Sequence, residues 1–457
     1  MELADSPLRL ELDAINEQST AGIYYAYEAT ITTENEDIPV LKVVSADWVR
    51  NYLSAVSDEL ILEVAMPAGQ FLKRVQPFKE NLKISLTRKP FGGSASDPRT
   101  TLVQEFRAYL ISQDQNDSLG ANPATASEDA ANTTTLLRAH FQLQELVYEQ
   151  IRTEMIGGVP KQMTPHALLL MMLYKSIENL QADEANQILG VQAAPPNNTK
   201  VRSHFTLPHG TPLTELANIL QVEQGGIYNA GIGCYLQSGY WYVWPTYDNK
   251  RFDVVEKTAS FIILPDPRFK GTEKTWRAVD ERHFVAVITG GVSKQDPSEG
   301  QLLNDGNAVR FADNNKAMEG FVTVTGNKAV AQRTYNNNEY VGVKRRTETN
   351  MSRVQTSPTN PYQEASKLAA RSMAYLTLNW ENSNPDLIIP DLQCEVGFTV
   401  DGAPKYINGI VVHAHAMSAM SGTGLHQEAH QITTQVVVAV DRNDPVYQAF
   451  IDQQNNK

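Results

Sequence analysis

The stretch DELILEVAMPAGQFLKRVQPFKENLKISLTR, Asp58 to Arg88, decides the fold class. Leu60-Ile-Leu-Glu-Val-Ala-Met66 is a compact β-type run, and Pro67-Ala-Gly69 reads as a turn. Leu82-Lys-Ile-Ser-Leu86 then alternates apolar with polar at the two-residue period of a half-buried strand. Downstream, TLVQEFRAYLIS (Thr101 to Ser112) continues the sheet. The far end of the chain echoes this region. Leu392-Gln-Cys-Glu-Val396 with Gly402 after it repeats Leu60-Ile-Leu-Glu-Val64 with Gly69 after it, and a further strand follows each, so two β domains of shared topology are expected.

Between the two ends the pattern changes. Gln113 to Thr135 is rich in Asn, Asp, Ser, Ala and Thr and reads as a loop. Leu136, Leu143, Val147, Ile151 and Met155 fit one helix face that Gly157-Gly158 ends. Thr164-Pro165 is a helix start, because the hydroxyl can cap free N–H groups and Pro suits the first helical position. The run to Leu180 follows, its Met171-Met172 pair reads as core, and Gly190 is expected to close the last helix of the group. From Val201 the composition returns to β. Thr211-Pro212 opens a short helix with Leu213, Leu216, Ala217 and Leu220 on one side, and Gly231 to Trp244 reads as a hairpin turning at Ser238-Gly239. Further strands are expected at Phe261 to Leu264, His283 to Thr289, Leu392 to Val400, Tyr406 to Met417 and Ile432 to Val440. A helix is expected at Glu364 to Tyr375, and exposed loops at Ser293 to Gly320 and Lys344 to Tyr362.

The fold class is therefore α+β, β-rich and multidomain. A β domain spans residues 1–112, a loop and helical insertion 113–200, and a mixed α/β outer region 201–362 that contributes in part to the first β domain. A second β domain spans 363–457.

Composition excludes several function classes. The chain has 457 residues, 39 Lys+Arg against 52 Asp+Glu, and a formal net charge of -13, which argues against wrapping nucleic acid, since that requires a cationic surface to release phosphate counterions. Met1-Glu2-Leu3-Ala4-Asp5 lacks the basic and apolar parts of a secretory signal, so no cleaved leader is expected. The strongest apolar run, Ala167 to Tyr174, is far short of the roughly 20 residues a spanning helix needs, so a soluble protein without a membrane partner is expected. Cys234 and Cys394 lack metal or redox spacing and read as buried side chains. Charge is segregated. Residues 1–70 carry Arg9, Lys42 and Arg50 against thirteen acids, while Phe71 to Pro90 carries Lys73, Arg74, Lys79, Lys83, Arg88 and Lys89 against Glu80, a pattern suited to complementarity between copies or partners.

No signature of catalysis or cofactor binding is present. There is no Walker loop, no G-x-S-x-G elbow and no H-E-x-x-H helix, and Gly231-Ile-Gly233 lacks the third Gly of a dinucleotide site. No catalytic, cofactor-binding or metal-ligating residue is therefore assigned, and no cofactor is expected. One constellation is open to a metal. His413, His415, His426 and His430 are four of nine histidines, and on a hairpin the first two would share a face with Glu428 or His430 alongside, a set able to hold zinc, nickel or iron; otherwise they are strand and loop residues at a subunit contact. The aromatics Tyr235, Tyr240, Trp241, Tyr242, Trp244 and Tyr247 could stack sugars or bases, or alternate between core and interface within a hairpin.

The order of these features resembles the baseplate hub protein of contractile-tailed bacteriophages, related to the base of type VI secretion spikes. The resemblance rests on Asp58 to Arg88, on the aromatic GYWYVWPTYD (Gly239 to Asp248), and on EASKLAARSMAYLTLNW (Glu364 to Trp380). It rests also on INGIVVHAHAMSAM (Ile407 to Met420) and QITTQVVVAVDR (Gln431 to Arg442). It covers about half the chain, concentrated at the two ends. It implies two tube-like β-barrel domains per chain, a homotrimer whose six barrels match a hexameric tail tube, and a three-fold match to a central spike. The implied partners are copies of itself, the spike, the tail tube protein and neighbouring baseplate proteins, with DNA passing through without specific binding. The implied location is the virion tail baseplate, after synthesis in the host cytoplasm, and the family contributes no catalytic residues. Two other readings compete. Phe205 to Ile219 (FTLPHGTPLTELANI) is similar to the opening of a peptidoglycan-binding LysM repeat, and a hub can be fused to a cell-wall hydrolase.

Overall fold

The computed structural model describes residues 13–15, 17, 24–55, 58–91, 101–113, 136–180, 188–237, 239–252, 258–264, 275–280, 283–288, 292–295, 310–313, 330–334, 337–341, 351–354, 360–390, 392–400, 403–421 and 429–455. The N-terminal strands are β1 (Tyr24–Thr32), β2 (Lys42–Asn51), β3 (Glu59–Pro67), β4 (Leu82–Phe91), β5 (Leu102–Gln113) and β6 (Leu136–Glu145). Two-residue periodicity is their cause. Leu60, Leu62, Val64 and Met66 of β3, and Leu82, Ile84 and Leu86 of β4, all turn to one core.

Two expectations fail here. Residues 68–81 form consecutive helical turns, not a simple turn, because Ala68, Phe71 and Val75 recur at helical spacing and all are buried. Leu136 to Glu145 is a strand, with Leu137, Ala139, Phe141 and Leu143 alternating inward; only Leu146–Thr153 (α1) is helical. The i+4 spacing of Leu143, Val147 and Ile151 joins the end of a strand to the face of the helix that follows it.

The middle of the chain supplies α2 (Pro165–Asn179), α3 (Leu216–Val222) and the strands β7 (Gly190–Ala193), β8 (Gly233–Gln237) and β9 (Tyr240–Trp244). Thr164 caps α2 as expected, its hydroxyl accepting from the Ala167 N–H at 3.1 Å. Gly190 opens a strand instead of closing a helix. Ser238 and residues 114–135 lie outside the described residues, but Gly239, at φ +77°, takes the left-handed conformation expected of the hairpin turn.

The C-terminal strands are β10 (Ala259–Ile263), β11 (Trp276–Ala278), β12 (Phe284–Ile288), β13 (Val292–Gln295), β14 (Met373–Trp380), β15 (Gln393–Val400), β16 (Ala403–Ser421) and β17 (Ala429–Asp441). Helix α4 (Pro361–Ser372) leads into β14, and α5 (Pro445–Asn455) follows β17. The expected helix at Glu364 to Tyr375 thus starts earlier, behind the Asn360 cap, and gives way to strand at Met373. The stretches expected as loops at Ser293 to Gly320 and Lys344 to Tyr362 hold β13 and paired strands at Arg310–Asp313 and Met351–Val354.

One mixed sheet of fifteen strands contains both ends of the chain. Its order is β11-β12-β10-β15-β16-β2-β3-β6-β5-β4-β1-β17-β14-β13, with Asp37–Pro39 paired beside β1. Because β16 also pairs with β17, the pairings β16-β2-β3-β6-β5-β4-β1-β17 run in a circuit of eight strands. The first core lies against these strands and includes Tyr25, Ile84, Phe106 and Phe141 together with Ala416 and Ile432 from the far end. A second core gathers Phe261, Phe284, Trp380, Val396, Phe398 and Val438. The long β16–β17 hairpin supplies both. A third core, with Tyr148, Leu169, Leu216 and Trp241, holds the helical part.

The Leu60/Leu392 echo does not extend to pairing. Strand β3 has antiparallel neighbours on both sides, whereas β15 pairs antiparallel with β16 and parallel with β10. A different echo is present: the β5–β6 hairpin runs straight into α1, and the β16–β17 hairpin runs into α5. The segregated charges partly neutralise each other inside the chain, through Lys89 with Glu28 and Arg74 with Glu36, while Glu63 of the acidic segment pairs with Arg138 at 3.1 Å.

Candidate functional site

A buried polar cluster lies where the N-terminal strands meet a turn from the C-terminal half. Strand β2 carries Trp48 and Arg50, Tyr52 follows it, Asp58 precedes β3, and β8 brings Tyr235 and Gln237. The C-terminal half contributes a short 3₁₀ turn, Pro385–Leu387, between β14 and β15. Asn384 caps that turn by accepting from the Asp386 N–H at 3.2 Å. Arg50 donates to the carbonyls of Pro385 at 3.4 Å and Ile388 at 3.3 Å, and the Tyr52 hydroxyl donates to Ile388 at 3.3 Å. Arg88 of β4 forms an ion pair with Asp386. Trp48 lies beside both guanidinium groups, with Arg50 Cζ 5.1 Å and Arg88 Cζ 5.4 Å from its ring centroid.

Arg50 also lies 3.7 Å from Asp58, whose carboxylate accepts from the Tyr235 hydroxyl. With the Gln237 amide oxygen turned toward Arg50, it accepts at 3.0, 3.1 and 3.3 Å. Burial pushes the Asp58 carboxyl up to about 7, with Arg50 opposing and Glu145 adding to the rise. Burial likewise raises Glu145, against the pull of the Gln104 amide, which donates to it at 2.6 Å. The adjoining cavity, between Trp48, Asp58, Leu60, Phe106 and Glu145, measures about 20 Å³, room for one water and no substrate. The cluster is a joint that fixes the 385–388 turn to the N-terminal strands.

A serine, a histidine and an acid meet elsewhere, a grouping that no sequence spacing announces. Ser260 of β10 donates to Glu395 Oε1 at 2.7 Å, and His283 Nε2 lies 2.9 Å from the same hydroxyl. With the serine proton directed to Glu395, Nε2 must carry the hydrogen and donate. A nucleophilic triad needs the reverse, with a histidine lone pair on the serine and the acid on the other ring nitrogen.

The four histidines do not converge. His413 and His415 are half-buried neighbours on β16, opposite Val437 and Gln435, but His430 sits opposite Met420. Five residues of strand separate Met420 from His415, roughly 16 Å at the rise of a strand. His430 is fully buried, packed edge-on against Tyr27 with ring centroids 4.9 Å apart, and burial with nearby Lys42 pushes it down to about 4. His426 and Glu428 lie outside the described residues. Among the described residues no three His, Cys, Asp or Glu stand together as metal ligands, and no helix is long and apolar enough to cross a membrane.

The aromatic hairpin divides its side chains between two cores. Tyr235 and Trp244 enter the second core, while Trp241, Leu236 and Val243 enter the third. The hairpin thus alternates between two cores, instead of the expected core and interface. In the LysM-like segment, Phe205, Leu213 and Leu216 are likewise consumed by the third core.

No protein-family model matches the chain, and no curated protein sequence does. Among solved structures, it is similar to the 43 kDa tail protein of a prophage of Shewanella oneidensis, with a TM-score of 0.47 and 8% identity over 91% of this chain and 98% of that one. It is similar to a tail protein from Neisseria meningitidis, with a TM-score of 0.43 and 11% identity over 91% and 97% of the two chains. A third is an Escherichia coli component of the type VI secretion system described as structurally similar to T4 bacteriophage tail proteins, with a TM-score of 0.43 and 8% identity over 90% and 76%. The structural neighbours of this chain are thus phage tail proteins and proteins related to type VI secretion spikes.

Proposed function

We propose that this chain is a structural protein of a contractile phage tail, a trimeric baseplate hub that adapts a three-fold central spike to a six-fold tail tube. The observation that carries the reading is the eight-strand pairing circuit, joined through a shared hairpin to a second strand set with its own core. We take the two sets as two tube-like barrel units, each with a hairpin that enters a helix. Residues 24–145 build most of the first, residues 259–455 build the second and lend β16 and β17 to the first, and residues 146–252 form an outer part. Three such chains present six similar units around an axis. That arrangement meets a hexameric tube on one side and a trimeric spike on the other, with the acidic surplus keeping passing DNA from adsorbing. The role needs interfaces and no turnover, which agrees with a polar joint that has room for one water. Its place would be the virion, with the spike, tube and baseplate proteins as partners.

Mass photometry tests the assembly, and the expected species has three times the 50.7 kDa mass of the chain, alone or with its spike. Electron microscopy of that species should show a ring of six similar densities about a channel. A monomer in the presence of the spike, or a ring without six-fold character, defeats the proposal.

A further inference from the structure

A second feature lies away from the joint, on the outer part of the chain. The strand Arg202–His204 pairs antiparallel with Lys161–Met163, setting His204 opposite Lys161 and Arg202 opposite Met163. Directly opposed residues share a face, so Lys161, Arg202 and His204 stand together on one side of a two-stranded ribbon. Lys200 and Arg202, with Ser203, His204, Thr206 and Gln224, line an open groove of about 450 Å³ that no carboxylate lines. Lys161, Lys200 and Arg202 gather positive charge here, and a chain with 52 acids has ample means to neutralise it. Among the described residues no acid pairs with these three or with His204.

The arginine is held as a ligand would require. Arg202 Cζ lies 5.8 Å from the Phe205 ring centroid, and Nη1 donates to Gln224 Oε1 at 3.4 Å. Gln224 is itself oriented by donating from Nε2 to the Thr206 carbonyl at 3.3 Å. The guanidinium packs on the backbone of Gly225, at φ +97°, where a Cβ would lie 3.1 Å from Cζ. An ordinary surface arginine is free to sample rotamers; this one is fixed by three contacts, none of which neutralises it, so its ordering cost is met before any anion arrives.

We propose that this groove is a binding site for a phosphate-bearing ligand, with Arg202 as the fixed anchor, Lys161 and Lys200 as flanking charges, and the Ser203 hydroxyl as donor. A planar guanidinium with adjacent ammonium groups suits the several oxygens and the multiple charge of phosphate, and the volume accommodates more than one such group. The phosphate reaches the site either as a free soluble group or as a lipid headgroup.

Isothermal titration of the full chain with pyrophosphate at about 150 mM salt, where exposed charges are screened beyond roughly 8 Å, tests the site. Co-sedimentation with phosphatidylglycerol-containing vesicles runs in parallel, against pure phosphatidylcholine. Saturable binding of pyrophosphate alone assigns the soluble source, and selective capture by the anionic vesicles assigns the lipid source. Arg202→Gln should weaken whichever is seen at least tenfold, and so should the exposed pair Lys161→Ala with Lys200→Ala, which leaves the Arg202 packing intact. Both variants should keep the wild-type circular dichroism spectrum. Absence of saturable binding in both assays, or binding unchanged in the folded double variant, overturns the proposal.

Discussion

Arg88 and Asp386 form an ion pair across 298 positions of the chain, with the Arg88 side chain 1% exposed and that of Asp386 30% exposed. The pair ties a strand of the first half to a turn of the second. Asp386→Ala strands a buried guanidinium, whereas replacing both partners with apolar residues removes the stranded charge. The single variant should lose about 3 kcal/mol in urea unfolding, and Arg88→Met with Asp386→Leu should recover much of it.

Asp58 predicts a pH dependence of definite sign. Its folded pKa, about 7, lies above the ordinary value of 3.8, so the folded state holds a proton the unfolded state has released between those limits. Stability from this group is complete below about pH 4 and declines as pH rises toward and through 7. Asp58→Asn should flatten the slope of unfolding free energy between about pH 4 and 7. An unchanged slope would show that Asp58 titrates normally.

His430 acts with the opposite sign. Held at about 4, against an ordinary 6.5, it favours the neutral ring when folded, so its contribution is complete above about 6.5 and is lost as pH falls through 4. His430→Phe should preserve the packing on Tyr27 and reduce acid sensitivity over that window, as followed by near-ultraviolet circular dichroism.

Trp380 is the anchor of the second core. It is fully buried, stacks on Phe284 at a 5.9 Å centroid separation, and donates from Nε1 to Thr275 Oγ1 at 3.1 Å. Trp380→Ala should cost about 3–5 kcal/mol by chemical denaturation.

Ser260 should be inert as a nucleophile. Its proton is committed to Glu395, so a fluorophosphonate probe should leave the folded protein unlabelled. Labelling abolished by Ser260→Ala would show an activated serine.

The strands at Leu60 to Met66, Leu82 to Leu86 and Ile432 to Val440 were legible because one buried face imposes a two-residue rhythm. Strand β6 carries the same rhythm in Leu137, Ala139, Phe141 and Leu143, but the i+4 run from Leu143 into α1 masks it. The joint left no local trace. Arg50, Asp58, Tyr235 and Asp386 come from four separate elements, and nothing in their spacing says that they meet. The histidines show the converse: closeness in sequence put His413 and His430 on the same hairpin, and the ladder register then held them apart.

The β16–β17 hairpin has a consequence for how the molecule comes apart. Its outer end is bedded in one core and its inner end in the other, so it acts as a common spar, and neither half retains a complete set of neighbours once the spar is withdrawn. Heating should therefore produce a single calorimetric transition. A truncation ahead of residue 403 should yield an insoluble fragment, its bared β1 and β2 margins free to recruit strands from other molecules.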